Sequence, residues 1–142
     1  MHMDFKCYKY KYKMKRKIAQ FALLVDNYDE AINFYVNKLH FELVEDTVLD
    51  EKKRWVLVSP DPNNSSSILL AKADNENQRK FIGNQSGGRV FLFLNTNDFK
   101  KDYQNLLTNN IKIVREPVEE KYGIVAVFED LYGNLWDLIE PK

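Results

Sequence analysis

Cysteine is nearly absent from these 142 residues. Cys7 is the only one, so no intrachain disulfide forms and no cysteine cluster holds zinc. Histidine is almost as scarce: with His2 and His40 alone, a centre built on two or three core histidines is excluded. No run of about 18 apolar residues is present to cross a bilayer, and no apolar stretch follows the basic start at the spacing of a secretory signal. The expected location is therefore cytoplasmic, with no membrane partner. A net charge is missing too, since 21 Lys/Arg balance 21 Asp/Glu.

That balance is uneven along the chain. Residues 1–17 carry seven Lys/Arg against the single acid Asp4, which leaves the remainder six units acidic. The stretch FKCYKYKYKMKRK alternates lysine with tyrosine, a composition able to meet nucleic acid or an anionic surface through charge and stacking. The plainer reading is preferred: MHM looks vector-derived and Met14 stands just ahead of the first core strand, so residues 1–16 are set apart as a basic tail outside the fold. Nucleic acid is not an expected partner.

What is present from Lys17 onward is a repeated pattern in a length that suits one domain. IAQFALLV reads as a strand, and DNYDEAINFYVNKL opens on Asp and spaces Ala31, Ile32, Tyr35 and Leu39 as a helix. FELVEDTVL, KRWVLVSP and SSSILLAKA follow as strands, with DPNNSSS as the connection between the last two. After a polar linker over 74–87 the order recurs: RVFLFLNT, DFKKDYQNLLTNN, IKIVREP, GIVAVFED and NLWDLIEP. At an offset near 69, RWVLV meets IVAVF and SILLA meets LWDLI. The expected fold is α+β: two tandem βαβββ modules, 17–73 and 88–142, forming a curved eight-stranded mixed sheet around a cleft with helices outside.

Two segments give this pattern a family likeness. FALLVDNYDEAINFYVNKLHFELVED resembles the opening strand and helix, and FEDLYGNLWDLIEP the ending, of the vicinal oxygen chelate superfamily, which contains glyoxalases, bleomycin resistance proteins and extradiol dioxygenases. The resemblance covers 17–142. It implies a divalent metal held by the first and last strand of each module, at positions that are Gln20, Leu69, Arg89 and Asp137 here. Only Asp137 keeps ligand character: Leu69 has no donor atom, Gln20 is a weak carbonyl donor, and Arg89 is a permanent cation. No metal and no other cofactor is expected.

Asp137 poses a separate question, because a carboxylate among Leu135, Trp136, Leu138 and Ile139 loses hydration and needs compensation. The superfamily's strand order implies that Arg89 supplies it, as an ion pair standing where the metal would be. Around that pair, Tyr122 in the loop before a cleft strand and Trp55 complete the expected cleft set of Gln20, Leu69, Arg89, Asp137, Tyr122 and Trp55; a surface turn for Tyr122 and a core position for Trp55 and Trp136 are the plainer alternatives. His40 is expected as a left-handed helix end facing solvent.

Three functions follow from different classes. A metal-dependent lyase or dioxygenase needs a Lewis acid that these residues do not build. A metal-free protein binding a small hydrophobic or anionic molecule fits them better, and an interaction protein with a vestigial cleft stands as the third. A homodimer is expected, since the exposed sheet edges need cover.

Overall fold

The computed structural model describes residues 15–142. The tyrosine-lysine stretch up to Met14 lies outside the described residues. Module one runs β1 (Gln20–Val25), α1 (Tyr28–Ile32), β2 (Glu42–Val48), β3 (Arg54–Ser59) and β4 (Ser67–Lys72), and a π-helical segment Asn33–Lys38 continues α1 without a break. Module two runs β5 (Leu92–Asn95), α3 (Phe99–Thr108), β6 (Ile113–Glu120), β7 (Gly123–Glu129) and β8 (Leu135–Pro141). A four-residue helix, α2 (Glu76–Arg79), sits in the linker, started by the Asn75 side chain.

The strand order is β1-β4-β3-β2 in one sheet and β5-β8-β7-β6 in the other. First and last strands of each module pair in parallel, and the other pairs are antiparallel. The two tandem βαβββ modules therefore form as expected, with the eight strands divided between two four-stranded sheets. β1 and β2 are the edges of the first sheet, β5 and β6 those of the second. Both helices start where the sequence supplies an acceptor: Asn27 caps the Glu30 amide and Asp98 caps the Lys101 amide. The N-caps are 71 residues apart, whereas the equivalent strand residues Leu69 and Asp137 are 68 apart, so the repeat has no single offset.

Alternation sorts each sheet into a helix-covered and an open face. Leu23, Val25, Val56, Val58, Ile68 and Leu70 meet Tyr28, Ala31, Phe34 and Tyr35; Ala126, Phe128, Trp136 and Leu138 meet Phe99 and Leu106. These sets form one core rather than two. Tyr35 lies 6.0 Å from Trp136 between ring centroids, and Phe41 5.8 Å from the same indole. Further contacts between modules come from the same side: Asn105 donates to the Lys38 carbonyl, and the Tyr132 hydroxyl donates to Glu30. The linker is pressed onto the loop before β8, where a Cβ on Gly83 would come within 1.9 Å of the Tyr132 carbonyl oxygen, so only glycine fits.

His40 and Asn110 end the two helical segments in the left-handed region, at φ 61° and 56°. After Asn110 the Ile111 amide reaches back to Leu106, a Schellman closure; after His40 the Phe41 amide reaches one residue further, to Tyr35, because the π-helical turns are wider. His40 is exposed, as expected for that position.

Candidate functional site

Asp137 sits on the open face of β8, opposite Phe93 on one side and Val127 on the other, and Val127 is in turn opposite Arg115. Its carboxyl is half-buried, and burial raises its pKa above the ordinary 3.8 while Arg115 pulls it partly back. No hydrogen bond or ion pair to Asp137 forms among the described residues.

The expected ion pair with Arg89 is not formed. Arg89 lies ahead of β5, exposed, with its carbonyl accepting from the Ser86 hydroxyl. The residue paired with Asp137 is Phe93, four positions later and about 13 Å further along an extended chain. A uniform offset of 69 carries Gln20 onto Arg89, but the N-caps place Gln20 opposite Phe91 in the repeat. A slip of two or of four residues preserves which face every side chain takes, so alternation gives no warning of it.

The remaining expected cleft residues are spread over the open faces and a turn. Gln20 and Leu69 lie on sheet one, where Leu69 is opposite Ala22 and Leu57; Trp55 is on β3 opposite Thr47. Tyr122 is 57% exposed in the turn between β6 and β7. A divalent metal does not fit the expected positions, since Gln20, Leu69, Arg89 and Asp137 provide one carboxylate. No three His, Cys, Asp or Glu side chains converge elsewhere among the described residues.

A different concavity is built where the modules meet on the helix-covered side, a cleft of ≈ 610 Å³. One wall is the Pro60–Ser66 loop with Phe21 and Ile68; the other is β5 with Asp102, Asn105 and Leu106 of α3. Leu39, Phe41, Trp136 and Leu138 form an apolar floor, each buried. None of the six residues expected from sequence lines it. Its polar members come from a stretch read only as a turn and from the outer side of α3, so the missed signal was the Asp-Asn-Ser content of DPNNSSS beside a helix carrying Asp102 and Asn105.

Behind the floor lies a buried polar centre that also escaped the sequence reading. Asp130, 4% exposed, accepts at Oδ1 from the Tyr132 and Asn134 amides, and at Oδ2 from Asn134 Nδ2 and from the Tyr35 hydroxyl at 2.6 Å. Burial, then the Asp130 charge, holds the Tyr35 phenol protonated and well above its usual pKa. Beside it, Trp136 Nε1 is the one buried side-chain donor among the described residues without an acceptor.

The model of the glyoxalase/bleomycin resistance protein/dioxygenase superfamily matches residues 17–138. The chain belongs to this superfamily. An uncharacterised protein of Shewanella frigidimarina is 61% identical over 128 residues, spanning 89% of this chain and 95% of its own. A superfamily member from Sphaerobacter thermophilus is 28% identical, with TM-score 0.73 over 89% of this chain and 98% of its own. TnmS3, an antibiotic binding protein from Streptomyces sp. CB03234, shares the fold at TM-score 0.70 and 24% identity, over 90% and 98%.

Proposed function

We propose that this superfamily member is a small-molecule-binding protein that works without a divalent metal, taking its ligand in the cleft between the modules. The observation that carries the reading is the cleft itself: ≈ 610 Å³, with an apolar floor of Leu39, Phe41, Trp136 and Leu138 under a polar rim, within the size range of sites for drug-sized ligands. The fold is one that serves antibiotic binding in a Streptomyces protein. The expected anionic ligand loses the support of Arg89, and among the described residues no Lys or Arg lines this cleft.

A second copy of the chain is part of the proposal. Phe93 is 63% exposed on the open face beside Asp137, and Val118 is exposed on the same sheet. Apolar side chains of that size on an uncovered sheet favour a homodimer that closes the open faces. Gln20, Leu69, Trp55 and Asp137 then become residues of that covered surface.

The test is a thermal-shift screen of apolar and amphipathic compounds, together with elemental analysis after dialysis against chelator-free buffer. A ligand that binds only the folded state raises the melting temperature by mass action. A screen without any stabilising compound, or one equivalent of zinc, nickel, iron or manganese surviving dialysis, overturns the reading.

A further inference from the structure

We infer that the ligand of the inter-module cleft is an amphipathic organic cation, a flat apolar body carrying a protonated amine, seated with the amine between Asp61 and Asp102. This rests on the proposed binding function and names the class of molecule it serves. The charge of the rim decides the sign. Asp61 stands on the module-one wall and Asp102 on the module-two wall; among the described residues His40 is the only other ionisable side chain at the cleft, and no Lys or Arg lines it.

Both carboxylates are held in place while keeping an oxygen for a ligand. Asp61 Oδ2 accepts from Asn64 Nδ2, and Asp102 Oδ2 accepts from the Thr96 hydroxyl. Oδ1 of each has no donor among the described residues, so a protonated amine brings the missing partner, and a charge-assisted hydrogen bond is the stronger kind. An anion brought to the same rim meets two negative charges and, among the described residues, no Lys or Arg.

The aromatic content of the mouth favours the same class. Phe21 of β1 lines this mouth, and its ring face attracts a cation as well as a flat apolar body. The floor of Phe41, Trp136, Leu138 and Leu106 supplies the apolar contact that a hydrated inorganic cation cannot use. The site lies on the helix-covered side of the sheets, away from the open-face positions Gln20, Leu69 and Asp137.

Calorimetry of the full chain at pH 7.5 with three matched tricyclic probes tests the class: 9-aminoacridine as cation, acridine as neutral form and acridine-9-carboxylate as anion. The cation is expected to bind about tenfold or more tightly than acridine, with the anion weakest. Asp61→Asn combined with Asp102→Asn should bring the cation down to the affinity of acridine; Asp61→Asn alone, on an exposed loop, gives the same direction should the double variant unfold. Trp55→Phe leaves Trp136 as the only tryptophan, and its emission should still respond to 9-aminoacridine. Equal binding of all three probes overturns the cation assignment while leaving a small-molecule binder. Loss of the response in Trp55→Phe overturns the location, because the probe then reports from the open face. If no probe binds, the inference fails; a compound of another class found by the thermal-shift screen then preserves the proposed function, and an empty screen removes both.

Discussion

At the scale of single residues, Asp130 and Asp137 stand seven positions apart in sequence and differ in fate. Asp130 receives four hydrogen bonds in a buried turn, whereas Asp137 receives none and is left half-exposed with Arg115 as the nearest charge of opposite sign to act on it. Their removal should therefore differ in sign. Tyr35→Phe, which takes one donor from Asp130, is expected to cost about 1.5–3 kcal/mol in urea unfolding, the value of a buried hydrogen bond to a charged group. Asp137→Asn is expected to leave stability at neutral pH unchanged or higher. Since burial raises the Asp137 pKa in the folded state, the folded protein holds that proton more tightly than the unfolded chain does. Its contribution to stability is present below the ordinary 3.8 and is lost as pH rises through the higher folded value. Stability of Asp137→Asn relative to the parent should thus increase between pH 3.5 and 7.5; a parallel or converging pair of curves would show that Asp137 has a partner.

At the scale of elements, the free edge of β1 has its own device. Gln85 of the linker presents its side-chain amide to that strand as another strand would, with Oε1 accepting from the Leu24 amide at 2.6 Å and Nε2 donating to the Ala22 carbonyl at 3.2 Å. This satisfies an otherwise exposed pair of backbone groups and blocks pairing by a foreign strand. Gln85→Ala should cost about 1 kcal/mol and raise hydrogen exchange at Leu24 selectively. Unchanged protection of that amide would mean the contact is not held in solution. The π-helical segment Asn33–Lys38 acts at the same scale: it turns Tyr35 toward Trp136 and Asp130 of the other module, so the helix of one repeat seals the core of the next.

At the scale of the whole molecule, the modules share one core through their helix-covered sides and leave Phe93 and Val118 exposed on the second sheet. A homodimer is the expected solution state, and light scattering at micromolar concentration should give about twice the chain mass of 16.8 kDa. Phe93→Glu, a charge placed on the exposed side chain beside Asp137, should convert it to the monomer with secondary structure intact by circular dichroism. A parent protein that elutes and scatters as a monomer sinks this expectation.

The two βαβββ modules were legible in the sequence because what defines them is local: alternation in RWVLV and IVAVF, helix starts at Asn27 and Asp98, and the Gly133-Asn134 turn. Each depends on residues a few positions apart, and the superfamily followed from them. The strand neighbour of Asp137 was not legible, because strand alternation is unchanged by a slip of an even number of residues and the repeat offset drifts from 71 at the N-caps to 68 at the last strands. The cleft was not legible either. It is made by a loop of module one and a helix of module two whose side chains have no periodic relation, and they meet only because Tyr35, Phe41 and Trp136 pack into a single core. Sequence by itself determined the elements and their order, since hydrogen bonding and burial within an element follow from neighbouring residues; register, the joining of the modules and the location of the cleft were decided by packing between segments about 70 to 100 residues apart, which no local pattern encodes.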